Sequence, residues 1–279
     1  MRNNQYKVVR QNALISIYHA GSGHPGGVLS SIDVISELFY NIMHYDKNNW
    51  SSNHRDRFIL SKGHCAPALY AVAAEIGILE KRKLKGLRKI NNELQGHTHR
   101  GSIDWTEAST GSLGQGFSFA VGEALGLRLQ KISNTVYVML GDGELQEGEV
   151  WEAAMFAGHN KLDNICAIVD YNKIQSDDFN KNIIGVEPLN MKWESFNWNV
   201  IEIDGHNIKE IKNSFKGAKK IKGRPTVIIS NTIKGKGVSF MEGVPSWHGS
   251  LELSYEDTFL ALLELGMEKE KIKENLEKS

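Results

Sequence analysis

Apolar residues recur along this chain with two different spacings. Between residues 4 and 20, Tyr6, Val9, Ala13, Ile17 and Ala20 fall every three or four places, the period of one helix face. The same period predicts helices over 31–43, with Ile32, Ile35, Leu38, Phe39 and Ile42 inward and Asp33 in the first turn, over 68–76 and over 117–130. Short runs rich in β-branched residues predict buried strands over 56–61, 136–140, 165–169, 199–204 and 226–230. A helix face made of Val150, Trp151, Ala154, Met155 and Gly158 separates the second and third runs. Strand, helix and strand in that order form a βαβ unit, and the alternation predicts an α/β fold with a mainly parallel sheet flanked by helices. Further helices are expected over 208–221, 251–263 and 267–279. In 79–91, Leu79, Leu84, Leu87 and Ile90 alternate with six basic residues, the solvated face of another helix. No repeat or linker interrupts the pattern, so residues 1–279 are expected to be one domain.

Composition narrows the classes. Lys plus Arg and Asp plus Glu number 33 each, a balance that gives no footprint for nucleic acid or an anionic membrane. No apolar run approaches membrane-spanning length, and the polar start, residues 1–5, is unlike a secretion signal. Two cysteines in apolar surroundings, Cys65 and Cys166, fit reduced core thiols in a cytoplasmic protein.

The chemistry is expected where strands end. The second run stops at Gly141-Asp142-Gly143, and the third leads into Asp170-Tyr171-Asn172. In an open parallel sheet the carboxyl ends of the strands form the ligand crevice, and 172 − 142 = 30 residues is about one βαβ unit. A carboxylate and an amide oxygen brought together suit a hard octahedral cation such as Mg²⁺, which would hold a diphosphate, and Gly143 lets backbone approach the phosphates. A plain glycine turn is the competing reading. An EF-hand loop fails because Glu147 stands where its glycine belongs, and Gln146 breaks a dinucleotide fingerprint.

Histidines punctuate the loops. His24 lies in Gly21-Ser22-Gly23-His24-Pro25-Gly26-Gly27 after a helix, and His64 sits at a strand-to-helix junction, where phosphate oxygens are favoured. His97 and His99 belong to a long polar loop, 92–115, without a third ligand at zinc spacing. Lys234-Gly235-Lys236-Gly237 lacks the spacing of a P-loop and is followed by Trp247-His248-Gly249.

Taken in order, SGHPGG (22–27), SKGH (61–64), GH (96–97), TGSLGQG (110–116), GDGELQEG (141–148), DYNKI (170–174) and WHG (247–249) resemble transketolase across the whole chain. The match is to the family's amino-terminal, diphosphate-binding part. It resembles the smaller subunit of a split transketolase whose pyrimidine-binding half is a separate chain. The resemblance implies thiamine diphosphate as cofactor, with Mg²⁺ bound by the Asp142 and Asn172 side chains and the Ile174 carbonyl. His64, Gly143 and His248 would contact the diphosphate, and Gly111, Ser112 and Leu113 would approach the aminopyrimidine and thiazolium. His24, His97 and His248 match the substrate channel, with His64 at its inner end, and Glu147 matches a glutamate at the subunit interface. Where the family commonly has Pro-Glu, this chain has Thr98-His99, which leaves His99 without a role.

The activity so implied is transfer of a two-carbon glycolaldehyde unit from a ketose phosphate to an aldose phosphate, as in the pentose phosphate pathway, by a heterotetramer. The glutamate that activates the cofactor belongs, in the family, to the other half. A related thiamine enzyme, such as deoxyxylulose-phosphate synthase or a 2-oxoacid dehydrogenase component, and a non-catalytic cofactor-holding half are the alternatives.

Overall fold

The computed structural model describes residues 2–249 and 251–277. The first expected helix is α1 (Arg2–Ala20), which buries Tyr6, Val9, Ala13 and Ile17. The second departs from the reading. α2 (Pro25–Glu37) starts well before residue 31, because Pro25 occupies the first helical position, where a missing N–H costs nothing. Asp33 therefore lies mid-helix, and the chain leaves α2 through a π-helical turn, Leu38–Ile42. After β1 (Arg57–Leu60), a 3₁₀ turn, Gly63–Cys65, feeds directly into α3 (Ala66–Glu75).

The basic stretch 79–91 is not a helix. A 3₁₀ segment, Lys81–Gly86, is followed by Arg88 and Asn91 at φ 58° and 62°, and that left-handed backbone ends any helical run. Leu79, Leu84 and Leu87 are buried nonetheless, whereas Ile90 is exposed.

α4 (Gln115–Leu129), β2 (Val136–Gly141), α5 (Gly148–His159) and β3 (Ile165–Tyr171) follow as expected. The buried face of α5 is Val150, Ala153, Ala154, Ala157 and Gly158; Met155 points to the surface instead, beside exposed Phe156. α6 (Asn180–Ile183) and α7 (Leu189–Ser195) were not expected, being too short to establish a period. β4 (Asn199–Asp204), α8 (Ile208–Ala218) and β5 (Thr226–Asn231) complete the sheet. α9 (Tyr255–Glu264) starts later than residue 251 because the Ser254 hydroxyl caps it, accepting from the Asp257 N–H at 2.9 Å. Leu251 instead pairs with the Gly23 backbone. The terminal helix is α10 (Lys269–Leu276); residues 278 and 279, included in the expected helix, lie outside the described residues.

The five strands stand in the order β1-β2-β3-β5-β4, and every neighbouring pair is parallel. Such a sheet has to be covered on both faces. Leu14, Ile32, Met139, Ile168 and Phe215 share the core on one side, and Phe117, Val138, Ala154, Val169 and Trp193 on the other. Trp193 and Trp198 anchor the second core edge to face, their ring centroids 4.9 Å apart. α5 reaches this cluster so closely that a Cβ on Gly158 would fall 1.8 Å from the Phe196 carbonyl oxygen. None of the described helices is long and apolar enough to cross a membrane.

Candidate active site at the carboxyl ends of the strands

Two buried carboxylates tie the strand ends together. Asp170, at the end of β3, is fully buried and pairs with the Lys62 ammonium, which follows β1. It also accepts from the hydroxyls of Ser30 (2.7 Å) and Ser31 on α2, from Thr232 after β5, and from the Asn172 amide at 3.1 Å. Burial alone would push the Asp170 carboxyl up and the Lys62 ammonium down, but their mutual attraction wins, so both stay charged. Glu144, in the turn after β2, accepts from Ser61 and from the N–H groups of Gly114 and Gly141, both at 2.9 Å. Burial pushes its carboxyl up against these donors.

Asp142 meets the loop after β3. Its carboxylate accepts from the N–H groups of Gly143, at 2.8 Å, and Lys173. The Asn172 side-chain oxygen accepts from the Ile174 N–H at 3.1 Å, and the Ile174 carbonyl accepts from the Lys234 ammonium at 2.7 Å. Neighbouring parallel strands thus bring Asp142 and residues 172–174 together as their spacing predicts. The donor set is a carboxylate, an amide oxygen and a carbonyl, all hard oxygens of the kind Mg²⁺ takes. Burial, reinforced by the Asp170 charge, pushes the Asp142 carboxyl up to about 6 against the opposing pull of the Lys173 N–H and the Lys234 and Lys62 charges. These residues fit a divalent ion bearing a diphosphate.

Three of the four predicted channel histidines form a triangle. Ring centroids lie 5.0 Å apart for His24 and His64, 5.8 Å for His24 and His248, and 5.7 Å for His64 and His248. Gly26 makes this possible: a Cβ there would stand 2.8 Å from the Trp247 carbonyl, so only glycine lets α2 approach the loop that carries His248. Burial and neighbouring cations hold the imidazoles neutral at neutral pH. His24 falls to about 4, with Arg88 and His97 adding to desolvation, and His248 to about 3, with Lys234 adding. His64 lies well below its ordinary value through burial and the Lys62 charge. Lys234 bonds His248 and is itself lowered to about 8 by burial and Lys62.

His97 lies across the cleft against the glycine loop, its ring 3.5 Å from where a Cβ on Gly111 would stand. Ser112 is exposed and Leu113 half-buried, so this loop faces outward between His97 and the turn bearing His64. His99 is outside the group; it is exposed and bonded to Ser102 at 2.9 Å. Glu147 is exposed at the start of α5. The sequence reading did not single out Lys62, Glu144 or Asp170, and it set Lys234 aside. The available signal was a charge abutting each buried run, which is visible only once burial is known.

The family model described as "Transketolase, thiamine diphosphate binding domain" matches residues 1–277. The chain is 44% identical to the 6-deoxy-6-sulfo-D-fructose transketolase subunit SqwG of Clostridium sp. (strain MSTE9), over 95% of this chain and 96% of that one. It is also 44% identical to the transketolase of Homo sapiens, over 82% of this chain but only 36% of the human protein. The solved transketolase of Leishmania mexicana superposes with a TM-score of 0.89 at 28% identity, covering 98% of this chain and 43% of that one. Against full-length transketolases, then, the chain spans well under half their length, whereas it matches a subunit-sized relative almost end to end. A family match over nearly every residue and a shared fold make this chain a member of the transketolase thiamine diphosphate-binding domain family.

Proposed function

We propose that this chain is the diphosphate-binding subunit of a two-chain transketolase, with a separate pyrimidine-binding chain completing the active site. It moves a two-carbon glycolaldehyde unit from a ketose to an aldose. The observation that supports this most is the His24, His64 and His248 triangle. A neutral imidazole offers one N–H donor and one acceptor, so three of them together suit a substrate rich in hydroxyls. A thiamine enzyme acting on 2-oxoacids has no comparable use for them.

In this reading residues 1–279 act as one unit. The Asp142 and Asn172 side chains and the Ile174 carbonyl hold Mg²⁺, and His64, Gly143 and His248 meet the diphosphate of thiamine diphosphate. Gly111, Ser112 and Leu113 would approach the aminopyrimidine and thiazolium rings. When bound, the cofactor supplies the electron sink that cleavage of a carbon–carbon bond beside a carbonyl requires. His24, His97 and His248 orient the sugar and take up or return protons at its hydroxyls, which their neutral state permits. The assembly is a heterotetramer in the cytoplasm, a setting compatible with the free, buried Cys65 and Cys166.

The ketose carries a terminal anionic group. A phosphosugar of the pentose phosphate pathway is the first reading, and the subunit SqwG, named for a sulfonated fructose, adds a sulfosugar as the second. The test is a glycolaldehyde-transfer assay on each chain alone and on the mixture, with xylulose 5-phosphate, fructose 6-phosphate and 6-deoxy-6-sulfofructose as donors. Activity in the mixture only is expected; full turnover by this chain alone would overturn the two-chain reading. The preferred donor separates the phosphosugar from the sulfosugar.

A further inference from the structure

Asn180 opens α6, behind the turn at Gly143, with 1% of its surface exposed. Its backbone N–H is bonded to the Lys173 carbonyl at 2.9 Å, but neither the nitrogen nor the oxygen of its side-chain amide has a hydrogen-bond partner. Buried amides are almost always satisfied, because leaving both ends unbonded forfeits the hydration they had in the unfolded chain. The neighbouring polar groups are already engaged. Asn172 bonds Asp170 and Ile174, and the Lys234 ammonium bonds the Ile174 carbonyl and His248.

The place of this amide points to its missing partners. Asn180 lines a cavity of about 350 Å³ together with Asn172, Ile174, Thr232 and Lys234, and its side-chain oxygen lies 3.9 Å from where a Cβ on Gly143 would stand. It therefore borders the space assigned above to the metal and diphosphate. A diphosphate oxygen only accepts hydrogen bonds, and a water carried by Mg²⁺ chiefly donates them. A carboxamide can serve both at once, its N–H donating and its carbonyl oxygen accepting.

We propose that Asn180 is a cofactor-binding residue, its amide N–H donating to a diphosphate oxygen and its carbonyl oxygen accepting from a water on the metal. This rests on the thiamine diphosphate reading of the cleft and adds a contact that the motif residues do not include. It carries a signature that a purely structural residue would not. An amide left unsatisfied without cofactor contributes nothing to the unloaded fold, so removing it leaves unloaded stability unchanged or raised while cofactor binding weakens.

The experiment is isothermal titration of thiamine diphosphate with Mg²⁺ into the two-chain complex, for wild type, Asn180→Ala and the uncharged, near-isosteric Asn180→Leu. The thermal midpoint of each unloaded complex is measured alongside. The expected result is a dissociation constant raised about tenfold or more in both variants, with unloaded midpoints at or above wild type. Asn180→Leu nearly keeps the volume and adds no charge, so it carries the test if the alanine variant fails to fold. Variants that bind within twofold of wild type would overturn the proposal, and so would variants whose unloaded midpoint drops along with affinity. If the wild-type complex itself binds no thiamine diphosphate, the cofactor reading has failed, an outcome distinct from failure of the Asn180 contact.

Discussion

At the scale of single residues, buried charge survives here only where partners outweigh desolvation. Asp33 shows how. Burial pushes its carboxyl up, but a hydrogen bond with His206 at 2.8 Å and the Arg10 guanidinium, which donates at 2.9 and 2.7 Å, hold it below the ordinary carboxylate value. The sign of the pH effect follows. A carboxyl whose folded pKa is depressed contributes stability that is fully present above its unfolded value, about 3.9, and is lost as pH falls through the folded value. Denaturant unfolding measured from pH 6 down to pH 2 is expected to show wild type losing stability more steeply below about pH 4 than Asp33→Asn. Parallel curves would show that Asp33 carries no such linkage.

At the scale of elements, the close contact of α5 with the chain after α7 makes a sharp prediction. Gly158→Ala puts a methyl group onto the Phe196 carbonyl, a backbone atom that cannot swing aside. A loss of about 3 kcal/mol in denaturant unfolding is expected. A loss under about 1 kcal/mol would mean that the helix end slides freely.

Four of the strands were legible as short apolar runs because β1, β2, β3 and β5 are buried on both faces, and a helix such as α8 as a three- to four-residue period because only one of its faces is buried. The cofactor cleft was legible in part for the same reason. Asp142 and Asn172 follow buried runs, and parallel neighbours bring the ends of such runs together. What escaped depended on tertiary contact. The start of α2 was hidden in a glycine-rich stretch that reads as a turn, and residues 79–91 kept their leucine period while Arg88 and Asn91 broke the helix. Lys62 and Asp170 looked like ordinary charges, since a sequence does not display which ammonium will be enclosed with which carboxylate.

At the scale of the whole molecule, a ligand that binds only the folded state stabilises it by mass action, about 2.7 kcal/mol at a hundredfold excess over its dissociation constant. The thermal midpoint of the two-chain complex is expected to rise with thiamine diphosphate and Mg²⁺ together, and EDTA should reverse the rise. A midpoint indifferent to EDTA would remove the metal from the cleft. The Asp170 carboxylate bears on how strong that binding can be. Chain from α2, from beyond β1 and from beyond β5 converges on this one group. The rotational freedom of the cleft floor is therefore surrendered when the sheet folds, and an arriving ligand meets groups that are already immobile. Disturbing Asp170 would accordingly register as an entropic penalty on every ligand of the cleft, although its own oxygens face protein throughout.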